Sequence, residues 1–374
     1  MKKVLIFYAS YGGGHLSAAR SVKEFIDENY PNVDSELIDC VKYINKAFNT
    51  LTTKAYSEMA KKVPKLWGNI YKKSERGPFA EISNTSNKIM AVKLNKLLKE
   101  KNPDLIISTH PFGSQMCSYL KKKGKLNAKI ATIMTDYAPH NQWLVGHSFV
   151  DYFFVSHEGM KDSLAKSGIE TFKIYVTGIP LSNKFLLKYE KSDILKNFGL
   201  EPNKKTVLFF GGGEFGLGKT KTLKIFKSFL ESDDIQIVAI SGKNHKMKEN
   251  FENMVEESHK ESFVKILEYT DKVPELMYIS DLVVTKPGGL TTTESLASGL
   301  PIVIINPIPG QEEDNAEYLE HNKVAIWIKN DDDVEHVLSD LFSDSDKMQE
   351  MKVRARLLAK RNSTRDICKI LFEE

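Results

Sequence analysis

Short β-branched or apolar runs alternate with longer amphipathic stretches along most of this chain, the pattern of βαβ units and mostly parallel sheets. KVLIFYA, DLIIST, KIATIMTD, YFFVS and KIYVTG read as the strands of the first half. KTVLFFGGG, IQIVAIS, DLVVTKPGG, PIVIINP and VAIWI read as those of the second. Gly and Pro interrupt the pattern at GIPLSNKF, near 178–185, and a highly polar helix begins there, so a domain boundary is placed at that point. The chain is expected to be α/β with two domains, 1–178 and 179–356, and 374 residues are enough to bury two cores. The last stretch, MKVRARLLAKRNSTRDICKILF, reads as helix.

The opening MKKVLIFYAS has too short an apolar run for a signal segment and leads into YGGGH without a small-residue cleavage site, so it is expected to be the first strand. No run approaches the roughly 20 apolar residues of a membrane-spanning helix, so any membrane contact is expected to be peripheral. Cys40, Cys117 and Cys368 lie far apart, without metal-ligand spacing, and suit a reducing cytosol.

Charge changes the picture more than composition does. The net +4 conceals 26 Lys and Arg against 16 Asp and Glu in residues 1–178, and 27 against 33 in residues 179–374. Segment 42–101 alone holds 14 basic and 4 acidic residues, interleaved with Phe48, Tyr56, Trp67, Tyr71 and Phe79. That mixture fits an interfacial segment resting on an anionic bilayer surface. On composition alone, the plainer reading as solvated helices with apolar faces in the core is preferred. No nucleic-acid motif accompanies the charge, so nucleic acid is not an expected partner.

Three glycine-rich turns directly follow strands. In the first, Gly12, Gly13 and Gly14 allow a tight turn before a helix starting near Leu16, with His15 at its root. A histidine there either serves chemistry or merely caps backbone. In the second, Gly213, Gly218, Lys219 and Thr220 satisfy the spacing of a phosphate-binding P-loop. Against an ATPase, no downstream strand ends in the acidic residue needed to hold magnesium, since Asp281 precedes its strand. The third is DLVVTKPGGLTTTESLASGLPIVIINPIPGQEEDNAEYL. Gly288 and Gly289 can turn helix-start amides toward a diphosphate, with Thr291 beside them. Glu294 can accept from two vicinal hydroxyls or simply favour the helix dipole. Gln311, Glu312, Asp314 and Asn315 in the next loop suit sugar hydroxyls or cap a helix.

Taken together, GGGHLSAA, FFGGGEFG, SGKN and KPGGLTTTESLASGLP followed by PGQEEDN resemble the diacylglycerol glycosyltransferase family, which includes monogalactosyldiacylglycerol synthases and processive diacylglycerol glucosyltransferases. The similarity runs from Val4 to about Asn330 and extends more distantly to the N-acetylglucosaminyltransferase of the peptidoglycan lipid intermediate. It implies a GT-B fold, two Rossmann-like domains facing across a cleft, with residues 357–374 packing back on the first domain. It further implies transfer of glucose or galactose from a UDP-sugar to diacylglycerol or a glycosylated diacylglycerol, at the inner face of the cell membrane.

Carried over residue by residue, the resemblance places Gly211, Gly212, Gly213 and Gly216 along the nucleotide, and Gly288 and Gly289 at the diphosphate. Glu294 falls on the ribose, Tyr269 and Thr270 on the uracil side, and Gln311, Glu312, Asp314 and Asn315 on or near the donor sugar. Gly13, Gly14, His140 and Trp143 line the acceptor side, with His15 and Asp136 as candidate catalytic groups. His15 is preferred as base because imidazole titrates near neutral pH, while Asp136 could orient the acceptor or the histidine. Inversion, no metal and no cofactor are expected, the UDP-sugar being a substrate. The Lys219-Thr220 pair and the gap between Asp136 and Trp143 depart from the family pattern. Transfer from UDP-N-acetylglucosamine to another lipid, a P-loop ATPase and a non-catalytic UDP-sugar sensor remain alternatives.

Overall fold

The computed structural model describes residues 1–10, 13–44, 91–211, 219–329 and 333–373. Most of the basic segment 42–101 lies outside the described residues, as do Gly12, Gly212, Gly213, Gly216 and Gly218. The chain divides into two compact units, one of 1–182, 309–311 and 360–374, the other of 183–308 and 312–359.

The first unit is built on a six-stranded parallel sheet ordered β2-β1-β3-β4-β5-β6. Its strands are β1 (Lys2–Tyr8), β2 (Val33–Asp39), β3 (Leu105–Ser108), β4 (Lys129–Ile133), β5 (Tyr152–Val155) and β6 (Ile174–Val176). The central strands are apolar on both faces because helices cover both, which is why they read as unbroken apolar runs. Leu5, Phe7, Ile106, Ile130 and Phe153 form one core layer, and Val4, Ile6, Leu105, Ala131 and Phe154 the other. The C-terminal helix Ser363–Phe372 closes the second layer with Ile367, Cys368 and Leu371. Lys2 Nζ donates to Leu371 O at 2.9 Å and Tyr30 OH to the Glu373 carboxylate at 2.7 Å, which ties that helix to the opening strand and first helix.

The second unit carries another six-stranded parallel sheet, ordered β12-β11-β10-β7-β8-β9. The strands are β7 (Lys205–Phe210), β8 (Ile235–Ile240), β9 (Val264–Leu267), β10 (Leu282–Thr285), β11 (Ile302–Ile304) and β12 (Ala325–Trp327). Counted within the unit this is the Rossmann order 3-2-1-4-5-6. Phe209 meets Phe226, Phe229 and Phe251 edge to face at its centre, and Phe226 stacks on Phe251. Both units are Rossmann-like, as the resemblance implied.

Two strands escaped the sequence reading, β2 (VDSELID) and β9 (VKIL). Both are edge strands, half-exposed, and their polar residues break the apolar run by which the buried strands declare themselves. In each sheet the chain leaves the first strand to one side and later returns to the other. This makes switch points between β1 and β3 and between β7 and β10, and open α/β sheets bind ligands in the crevice at the carboxyl ends of such strands.

Candidate active site

At the first switch point, β1 and β3 pair with Phe7 opposite Ser108, so the turns that follow them leave side by side. Gly13 is the N-cap of the helix Gly14–Asn29, whose second residue is His15. Thr109 follows β3, and its hydroxyl donates to the His15 backbone carbonyl at 2.8 Å. The His15 Nδ1 lies 2.7 Å from Thr109 O and 3.0 Å from Thr135 Oγ1. A carbonyl can only accept, so Nδ1 carries the hydrogen and the lone pair sits on Nε2. Burial lowers the His15 pKa to about 4, partly opposed by the hydrogen bond to Thr109.

Two further histidines belong to this cluster. His110 is the N-cap of the helix Pro111–Lys122, accepts from Phe112 N at Nδ1 (3.2 Å) and meets the His15 ring edge-on, centroids 4.6 Å apart. His140 lies with its ring centroid 5.8 Å from that of Trp143. Burial and the charge His15 would carry depress His140 to about 4 and His110 well below its ordinary value. All three are neutral imidazoles at physiological pH. Gln115 Nε2 donates to Gln142 O at 2.6 Å and so holds the loop bearing His140 and Trp143.

In the second unit the helix Gly289–Ala297 starts just beyond β10, with Gly288 as N-cap in extended backbone. Among the described residues, a Cβ added at Gly288 would find only Glu312 Oε1, at 4.0 Å. Packing against the described residues leaves room there, and the backbone at this helix start is open to close approach. Glu294 is half-buried on this helix, and burial raises its carboxyl pKa to about 8. Lys286 closes in on Glu312, Nζ to Oε2 3.8 Å, and Glu312 Oε2 accepts from Ile308 N at 2.7 Å. Asn306 holds φ +44° and donates through Nδ2 to Thr222 Oγ1 at 2.9 Å, joining the end of β11 to the helix Lys219–Leu230.

Several expectations change on contact with this geometry. The reason for preferring His15, an imidazole titrating near neutrality, fails because desolvation takes its pKa to about 4. Asp136, enclosed at 6 % exposure beyond β4, does not orient the histidine, which Thr109 and Thr135 hold instead. Asn315 is fully buried and its amide donates to Pro287 O at 3.0 Å, so it braces the glycine turn and is not displayed to a sugar. Gly211 is glycine for the core, since a Cβ there would collide with the Phe251 ring. Asp314 is exposed, Gln311 and Thr291 are half-buried, and Tyr269 is 79 % exposed. Thr270 Oγ1 accepts from Lys272 N at 3.1 Å.

Sequence reasoning missed Thr109, His110, Thr135 and Lys286. The signal for His110 was present in STHPFG, where a histidine stands before the proline that opens a helix at a strand end. Asp281 supports Thr206 N at 3.1 Å and Lys352 Nζ at 2.9 Å at the amino end of β10. It stands at the wrong end of the sheet for the magnesium of a P-loop enzyme. Among the described residues no group of three or more His, Cys, Asp or Glu is placed to hold a metal ion.

Two Rossmann-like units, one with a desolvated histidine at its switch point and the other with a glycine-opened helix start and a carboxylate on the same helix, define a fold of the GT-B class. Comparison with known proteins agrees. Residues 15–181 match the model of the monogalactosyldiacylglycerol (MGDG) synthase family, and residues 206–369 that of the glycosyltransferase family 28 C-terminal domain. The chain belongs to the family of the processive diacylglycerol β-glucosyltransferases. It is 30% identical over 380 residues to the one from Bacillus pumilus, covering 100% of this chain and 95% of the relative. It is 30% identical over 375 residues to that of Staphylococcus epidermidis, covering 100% and 93%. The fold is shared with the crystal structure of Acinetobacter baumannii MurG, at TM-score 0.67 and 13% identity, with full coverage of both chains.

Proposed function

We propose that the protein transfers glucose from UDP-glucose to the free hydroxyl of diacylglycerol, and then to glucosylated diacylglycerol, with inversion to a β-glycoside. The His15 geometry carries the chemistry, with Nδ1–H held by a carbonyl and Nε2 bearing a lone pair in a desolvated turn. The acceptor oxygen attacks C1 of the sugar while the C1–O bond to the diphosphate breaks and its electron pair leaves with UDP. The hydroxyl proton passes to His15 Nε2. An imidazole of low pKa is a modest base, but it is wholly unprotonated at neutral pH. Charge on the departing diphosphate is met by the amides opening the helix Gly289–Ala297 and by Lys286, and Glu294 accepts from the ribose hydroxyls. No cofactor or metal enters this scheme.

Full-length similarity to the glucosyltransferases supports the choice of sugar and lipid. The acceptor places the reaction at a membrane surface, and we assign the protein to the inner face. No helix among the described residues is long and apolar enough to cross a membrane. The basic, aromatic segment 42–101 supports contact with anionic lipid through its charge alone. Mass spectrometry of lipids after incubation with diacylglycerol vesicles and UDP-glucose, UDP-galactose or UDP-N-acetylglucosamine tests the assignment. Mono- and diglucosyl products from UDP-glucose are expected. Product from another donor alone would overturn the sugar, and no lipid product from any donor would overturn the reaction.

A further inference from the structure

We propose that Thr135 is a positioning residue for the transfer step, its hydroxyl acting as the second acceptor that steadies His15 when the ring takes up the acceptor's proton. The inference rests on His15 being the base. Neutral His15 needs only one acceptor at Nδ1, and Thr109 O at 2.7 Å already supplies it and fixes the tautomer. Thr135 Oγ1 at 3.0 Å is therefore surplus for the resting ring. Once Nε2 is protonated, the Nδ1–H becomes more positive, and hydrogen bonds to a charged donor are roughly twice as strong as neutral ones. The second oxygen then contributes most in the state that resembles the transition state.

A catalytic histidine commonly has a carboxylate in this place, which raises its pKa as well as orienting it. Here a carbonyl and a hydroxyl orient the ring, and burial outweighs the rise that the carbonyl gives, in keeping with a base that stays neutral. Among the described residues, the titratable groups around it are His15's ring neighbour His110 from the start of the helix Pro111–Lys122, His140 from the loop after β4, and Asp136 next to Thr135 in the chain. Hydrogen bonds from His15 Nδ1 run to Thr109 and Thr135 and to none of these. Thr135 is itself buried, at 5 % exposure, so solvent does not compete for its hydroxyl.

Three variants test the idea. Thr135→Val keeps the shape and removes the hydroxyl, Thr135→Ser restores it, and Thr135→Asp supplies the missing carboxylate. The Val variant should lose about ten-fold in kcat with diacylglycerol while its Kd for UDP-glucose stays within about two-fold of the parent. The Ser variant should recover most of that loss. In the Asp variant, the His15 Cε1–H resonance should titrate about one pH unit or more above the parent. Parental kcat in the Val variant, equal losses in Val and Ser, or an unmoved His15 titration in the Asp variant would each overturn the proposal. Should the parent form no glycolipid at all, the assigned reaction is at fault, and the His15 titration still decides what Thr135 does.

Discussion

With Glu294 on the ribose as proposed, donor binding should depend on pH in a direction set by the burial of its carboxyl. Burial raises its carboxyl pKa from 4.5 to about 8, and no charged partner among the described residues opposes the shift. In the unliganded protein it is therefore mostly protonated at neutral pH. At 1.36 kcal/mol per unit, the shift corresponds to a ceiling of about 5 kcal/mol against the ionised form, and solvent reaching this half-buried group lowers that figure. The raised acid pKa means that the folded state holds the extra proton between pH 4.5 and about 8, so this group's contribution to stability falls as pH rises through that window. Ribose hydroxyls donating to the carboxylate favour the ionised form, so donor binding should release a proton. Affinity for UDP-glucose should climb by up to about ten-fold per pH unit between 6 and 8.

UDP-glucose is the right probe because its diphosphate does not titrate in this range. Calorimetry at pH 7 in buffers of different ionisation enthalpy should count close to one proton released. Glu294→Gln should flatten the pH dependence, weaken binding at pH 8 by roughly 1.5–3 kcal/mol and raise the melting temperature of the unliganded protein above pH 8. A parent whose affinity is constant from pH 6 to 8, or a Gln variant that binds UDP-glucose like the parent, would refute the ribose assignment.

His15→Ala should reduce transfer to lipid by about 100-fold or more while UDP-glucose affinity, read by calorimetry, stays the same. Gly211→Ala should cost about 1–3 kcal/mol in denaturant unfolding because its Cβ would strike Phe251. Gly288→Ala should leave stability within about 0.5 kcal/mol yet weaken UDP-glucose, and the reverse pattern would undo the distinction drawn between the two glycines. Replacing Lys61, Lys62, Lys65, Lys72 and Lys73 by Gln should release the protein from anionic vesicles in sedimentation, since each basic residue at such a surface contributes about 1 kcal/mol. It should slow transfer to vesicle-embedded diacylglycerol but spare a short-chain dispersed acceptor. Unchanged sedimentation would turn the search for a docking surface elsewhere.

What the chain determines by itself is its periodicity and its punctuation. Ten of the twelve described strands stand out as short apolar runs, the central ones because a strand covered on both faces must be apolar throughout, and the glycine turns mark where the chain bends between strand and helix. His15 and Gly288 were legible for that reason, each in the turn that follows a strand, and Glu294 because it lies on the helix that the second of these turns opens. Tertiary structure alone decided which turns meet. Thr109 and Thr135 lie 94 and 120 residues beyond His15 in sequence, and only the β1-β3-β4 order brings them to its ring. The order of strands likewise separates glycines that look alike in sequence, giving Gly211 to the Phe251 ring and leaving Gly288 open among the described residues. The pKa values of His15 and Glu294 were beyond sequence reasoning for a related cause, since desolvation depends on everything packed around a group and not on its neighbours in the chain.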